Sequence, residues 1–270
     1  MMKQKIVFLD VDGTLVDFKM TMPESARKAL ELARENGHLL VLCTGRAYCD
    51  IYPWLMDFGF DAVVASAGAH VMHNETELYH SFIDPKDLSK LAQIFKNHGA
   101  ACVFQGSAGR FMTEENALAF LEFFRKMDIN MDGKVLQNTI VEEPHLRNDI
   151  ESGVYQGANV GIDQIQKEVG DAVTITGASF GVDREYNGEF TKGGINKATG
   201  MDIVMNHFGM EVSDAVAFGD SQNDIPMLRY AGVSVAMGDG AKPALEAADH
   251  VTTPLLEDGI WNGFKLVGLI

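Results

Sequence analysis

Over the first 82 residues short apolar runs alternate with stretches of helical period, the arrangement that builds a parallel sheet from strand-helix-strand units. Ile6 to Leu9, Leu39 to Cys43 and Ala62 to Ala65 are the strand-like runs. Between the first two, Thr21-Met-Pro-Glu24 has capping-box spacing with a proline early in the helix. Ala26, Ala29, Leu30 and Ala33 then share one face, and Gly37 supplies the stop. Residues 70 to 82 alternate apolar and polar around Asn74-Glu75, which predicts a hairpin leading outward.

From Asp84-Pro85 the pattern changes. Amphipathic helices are predicted near 86 to 98 and 114 to 127, interleaved with strand-like Cys102 to Gln105 and Val173 to Thr176, and this α+β texture marks a second domain. Near Glu189 the first texture returns. A helix from about Ile195 to Phe208, stopped by Gly209, precedes the apolar runs Ala215 to Phe218 and Val233 to Ala236, which have a helix between them. The outer thirds, residues 1–82 and 188–270, therefore read as one discontinuous α/β domain with residues 83–187 inserted. Phe120, Phe123, Phe124 and Met127 are expected in the core of the insert.

Charge narrows the partners. In 270 residues, 22 Lys and Arg stand against 38 Asp and Glu, a net charge of −16. This argues against nucleic acid or an anionic membrane, because binding such surfaces depends on basic residues displacing counterions. Hydrophobic content of 46% with 22% charged residues is ordinary for a soluble globular chain. Cys43, Cys49 and Cys102 form no C-x-x-C pair, so neither a disulfide framework nor a zinc cage is signalled, and a reducing cytoplasm is the expected compartment. Ile6 to Leu9 is too short for a signal-peptide core, and no run approaches the roughly 20 apolar residues of a membrane helix.

Four strings carry candidate chemistry. Phe8-Leu-Asp10-Val-Asp12-Gly-Thr-Leu15 puts two acids at the carboxyl end of a strand, where open α/β sheets place their ligand crevice, and i, i+2 spacing in extended backbone aims both the same way. Such a pair needs a cation or a shared proton. Gly219-Asp220-Ser-Gln-Asn223-Asp224 follows another strand, so Asp220 meets the first pair if the strands are neighbours; hard oxygen ligands with room for water suit Mg²⁺. Asp224, before Ile225-Pro226, reads equally as a helix cap. Cys43-Thr44-Gly45-Arg46 offers a hydroxyl and backbone N–H groups, a natural anion site that a plain turn would also explain. Lys197, in the first turn of its helix, opposes the macrodipole unless an anion is close; Lys192, in a Gly-flanked loop, is its competitor.

Taken together, these strings resemble the haloacid dehalogenase superfamily of aspartate-nucleophile phosphohydrolases. Asp10 to Leu15 matches D-x-D-G-T-L, Thr44 the strand-end hydroxyl, and Gly219 to Asp224 the G-D-x-x-N-D string. The finer resemblance is to the Cof-like branch, carried by Glu189-Phe-Thr-Lys-Gly-Gly194-Ile-Asn-Lys197 with Gly209 twelve residues beyond, and by the tail through Glu257-Asp-Gly259. Lys197, not Lys192, keeps the branch's register. Ala67-Gly-Ala69 and Asp239-Gly240 depart from the branch's usual Asn-Gly-Ala and Asn-Ala.

The resemblance implies a Rossmann-like doubly wound parallel sheet with an inserted α+β cap, and Mg²⁺-dependent hydrolysis of a small phosphate monoester through an aspartyl-phosphate. Asp10 would be nucleophile and Asp12 acid and base; Thr44, Gly45, Lys197 and Asn223 would bind phosphate. Asp10, Asp12 through its carbonyl, Asp220 and Asp224 would serve the metal. A phosphomutase would share every one of these residues, and a phospho-acceptor switch is a more distant alternative. Sugar, pyridoxal and flavin phosphates all remain open as substrates, and a monomer or weak dimer as the assembly. His70, His73 and His80 flank Glu75 and Glu77; alternation puts His70 and His73 on opposite faces, which favours a solvated hairpin over a metal cluster.

Overall fold

The computed structural model describes residues 3–17, 19–126, 137–178 and 185–270. The chain divides into two compact units: Met1–Arg46, Tyr52–His80 and Asn196–Ile270 form one, Ala47–Ile51 and Ser81–Ile195 the other. The first holds strands β1 (Ile6–Leu9), β2 (Leu39–Cys43), β3 (Ala62–Ala65), β4 (His70–His73) and β5 (Thr76–His80), and from the distal segment β12 (Ala215–Gly219), β13 (Val233–Ala236) and β14 (His250–Val251). Their order is β14-β13-β12-β1-β2-β3-β4-β5. Pairing is parallel from β14 to β3, and β4 and β5 add an antiparallel hairpin. The parallel strands are continuous apolar runs because both faces are buried. Ile6, Phe8, Val41 and Val64 pack with Met201 and Val204, while Val7, Leu9, Leu40 and Leu42 are equally buried on the reverse.

Helix termini deviate from the predicted caps for local reasons. The first helix spans Glu24–Glu35 and buries Ala26, Ala29, Leu30 and Ala33 as expected, but Pro23 is its N-cap and no side chain caps it. Thr21 is held one turn earlier, where its N–H donates to the Asp17 carboxylate at 2.8 Å. The helix predicted from Ile195 begins at Lys197, because Asn196 takes the N-cap and forms a reciprocal box with Thr199. Gly209 ends it in the left-handed conformation, φ 66°.

The second unit has β6 (Ala101–Gly106), β7 (Gly109–Met112), β8 (Thr139–Ile140), β9 (Ile150–Gln156), β10 (Val173–Gly177) and β11 (Gly188–Lys192) in the order β10-β11-β9-β6-β7-β8. β11 pairs with β9 and β10, so residues 188–192 belong here, whereas the sequence pattern returns them to the α/β domain. Helices Pro85–Asn97 and Ile162–Val169 bury Leu88, Leu91, Phe95, Ile165 and Val169 against Cys102, Phe104, Tyr155 and Phe190. Phe120, from helix Glu114–Lys126, packs with Ala101, Val103 and Met112, and Phe124 lies half-buried beside it. Phe123 meets Phe124 edge-on; Met127 lies outside the described residues. Among the described residues no helix is long and apolar enough to cross a membrane.

Candidate active site

In an open α/β sheet the crevice forms where the winding reverses. Here that point lies between β1 and β12, from which β2 and β3 lead one way and β13 and β14 the other. The two acid strings therefore meet. Asp10 follows β1 and donates its N–H to the Phe218 carbonyl at 3.0 Å; Asp220 follows β12. The turn between Asp12 and Thr14 approaches so closely that a Cβ on Gly13 would stand 2.6 Å from the Asp220 carboxylate, and φ +88° there also requires glycine.

Lys197 is fully buried, and its Nζ donates to Asp10 Oδ1 and Asp224 Oδ1, each at 2.5 Å. Its competitor Lys192 lies in the second unit and donates to the Ser81 hydroxyl at 2.9 Å. Asp224 uses its other oxygen to accept the N–H groups of Asp220 and Ser221 at 3.0 and 2.9 Å. It precedes helix Ile225–Tyr230 without capping it by its side chain. The carboxylates of Asp10, Asp220 and Asp224 lie within 4.8 Å of one another.

Asp12 points elsewhere. Its carboxylate is held by Arg46 through Nε at 2.6 Å and Nη2 at 2.7 Å, and Arg46 in turn donates to the Tyr52 hydroxyl at 2.6 Å and lies over that ring. Thr44 is buried after β2, where its hydroxyl accepts the Arg46 N–H at 3.1 Å across Gly45. Asn223 is buried and accepts from the Ser221 hydroxyl at 2.8 Å. Arg46, Tyr52 and the Thr14 hydroxyl, which donates to Asp220 at 3.2 Å, have no assigned part in the sequence reading. Thr14 and Arg46 belong to the strings Phe8 to Leu15 and Cys43 to Arg46; nothing in the sequence singles out Tyr52.

Electrostatics follow from burial. Burial raises the Asp10 carboxyl well above its ordinary range, Asp224 adds to the shift and Lys197 opposes it. Burial and then Asp224 push Asp220 up to about 7. For Lys197 burial favours the neutral amine, but Asp10 and Asp224 outweigh it and hold the ammonium charged. Three buried carboxylates thus meet one buried ammonium, a cation deficit lined with hard oxygen donors. Mg²⁺ fits such a set. Asp10 and Asp220 each keep an oxygen that could hold such an ion, whereas both oxygens of Asp224 are engaged with Lys197 and the main chain.

The two departures from the branch pattern lie near these strands. Ala67 adopts a left-handed conformation, φ 50° and ψ 34°, before Gly68, whose missing Cβ lets the Asn196 carbonyl approach; Asp239 is exposed in the turn after β13.

A family model for haloacid dehalogenase-like hydrolases matches residues 7–264. The sugar phosphatase BT4131, of haloacid dehalogenase subclass IIB, superposes with a TM-score of 0.83 at 28% identity, covering 99% of this chain and 100% of that one. Phosphatase YwpJ of Bacillus subtilis (strain 168) is 27% identical over 97% of this chain and 99% of its own. From the same organism, the 5-amino-6-(5-phospho-D-ribitylamino)uracil phosphatase YitU is 24% identical over 97% of each. With two acid strings joined at the sheet's reversal and a match running almost end to end, the chain belongs to the haloacid dehalogenase-like hydrolases and is a phosphatase of their Cof-like branch.

Proposed function

We propose that the protein hydrolyses a small phosphate monoester, of sugar-phosphate type, with Mg²⁺ and through an aspartyl-phosphate on Asp10. The observation that carries this is the meeting of Asp10 with Asp220 and the buried Lys197 at the end of the central strand. A carboxylate oxygen of Asp10 attacks phosphorus as the ester P–O bond breaks, and Asp12 protonates the departing alcohol. Asp12 then takes a proton from water, whose oxygen displaces Asp10 from phosphorus and releases inorganic phosphate. Arg46 occupies both carboxylate oxygens of Asp12, so Asp12 reaches the leaving oxygen only after that contact opens. Lys197, Thr44, Gly45 and Asn223 hold phosphoryl oxygens and keep the phosphorus in line. Asp10, the Asp12 carbonyl and Asp220 would hold Mg²⁺, with Asp224 supporting them, and the ion when bound would supply neutralisation of negative charge at the reacting phosphate.

The substrate class rests on the likeness to the sugar phosphatase BT4131, and selectivity is assigned to the inserted unit. The test is Asp10→Asn assayed on an aryl phosphate with Mg²⁺. Phosphate release should fall by about a thousandfold or more while the far-ultraviolet spectrum is unchanged. Undiminished turnover would overturn the proposal.

A further inference from the structure

The hairpin of β4 and β5 carries side chains that the phosphatase reading does not use. His70 and His80 are directly opposite in its register, and their rings stack at 3.8 Å with planes 8° apart. Strict alternation would send Glu77, three residues before His80, to the other face. Instead the register slips between Val71 and Met72, so that Met72 faces Glu77. Such a bulge re-aims one side chain. Glu77 Oε2 lies 2.8 Å from His80 Nδ1 and 3.4 Å from His70 Nε2. His70 is buried, contrary to the expectation of a solvated hairpin, its ring stacked on that of His80. His73 does fall on the opposite face, where it meets His207 at 2.8 Å.

We propose that His70, Glu77 and His80 form a binding site for a transition-metal dication such as Zn²⁺, separate from the acid cluster at β1. Two imidazoles and one carboxylate are a donor set that suits zinc, whereas Mg²⁺ prefers oxygen alone. Ligand atoms about 2.0–2.1 Å from a tetrahedral zinc are about 3.3 Å apart, and the two separations of Glu77 Oε2 bracket that value. Burial and the neighbouring His80 keep His70 neutral down to about 4, the protonation state that ligates metal. Glu77 is exposed and opens the site to solvent. Since ring lone pairs lie in the ring planes, binding tilts the stacked imidazoles apart. The ion would clamp the edge strand β5 to β4 at the residue after which the chain leaves the first unit.

The test is calorimetric titration of the metal-stripped full-length protein with Zn²⁺ in excess Mg²⁺, which keeps the acid cluster out of the measurement. Imidazole nitrogen resonances are followed in parallel. One equivalent should bind in the micromolar range, with shifts confined to His70 and His80. Glu77→Gln, an exposed and conservative change, should weaken binding by more than about tenfold, as should His80→Gln, while Asp220→Asn and His207→Gln leave it intact. No binding in excess Mg²⁺, an undiminished affinity in Glu77→Gln, or loss in His207→Gln or Asp220→Asn would each overturn the site. The resonances decide the matter in the native chain should the histidine variant fail to fold.

Discussion

Replacing Lys197 by Met keeps much of the side chain's length and removes its charge. The ammonium is fully buried and holds two carboxylates at 2.5 Å. At an effective dielectric of about 20 each contact is an attraction of about 7 kcal/mol, opposed by a desolvation cost of several kcal/mol per ion. What the variant loses is the difference, and it also leaves Asp10 and Asp224 facing each other with no cation. Breaking one side of a buried ion cluster costs about 3–5 kcal/mol. The deficit must depend on pH. Burial already raises the Asp10 carboxyl and the variant removes the ammonium that opposes that shift, so the folded state binds this proton more tightly than the unfolded chain and stability falls as pH rises. Urea unfolding in EDTA, followed by circular dichroism, should give the full loss near pH about 8 and a clearly smaller one near pH about 5, where a folded-state carboxyl takes up a proton. A loss below about 1 kcal/mol at the higher pH, or one that does not change with pH, would refute the account of Lys197 as the counter-charge of the cluster.

Two further outcomes are expected. His38 Nδ1 accepts the Lys5 N–H at 3.1 Å, and burial lowers the folded-state pKa of this ring. Its stabilising contribution is present above the unfolded value of 6.5 and is lost as pH falls below it; His38→Gln should flatten that part of the urea-midpoint profile, and an unchanged profile would refute the assignment. Ala67 sits at φ 50°, which costs a residue with a Cβ about 1–2 kcal/mol. Ala67→Gly should therefore gain about 0.5–1 kcal/mol after the entropy of glycine is subtracted, readable as a higher melting temperature.

The parallel strands were legible because burial on both faces makes them continuous apolar words, and Ile6–Leu9, Leu39–Cys43 and Ala62–Ala65 are found with the predicted bounds. The acids could be located for a related reason: a polar residue that ends such a run can only stand at the strand's carboxyl end. What the sequence withheld was pairing across distance. That Asp12 faces Arg46 while Asp10 faces Lys197 depends on how a turn of three residues is bent around Gly13, and i, i+2 spacing carries no trace of it. For the strand Gly188–Lys192 the sequence is ambiguous, since an α/β texture and the edge of an α+β sheet share the same short apolar alternation, and only hydrogen bonding to β9 and β10 separates them. The hairpin's alternation gave the faces of His70 and His73, but the register slip that brings Glu77 round lies in backbone geometry, not in residue type.

The central pairing of β1 with β12 joins Ile6 to Ala215. During synthesis the first strand of the chain therefore waits, with one edge unpaired, until most of the polypeptide has left the ribosome. The entropy of closing so long a loop grows only logarithmically, about 0.6 kcal/mol for each doubling, so the delay weighs on rate more than on stability. In the interval an apolar strand edge stands open to wrong partners. The same delay makes the centre late to complete: Asp10 gains Lys197 and Asp220 only when the last third of the chain has docked, so a partly made chain carries the nucleophile without its counter-charge.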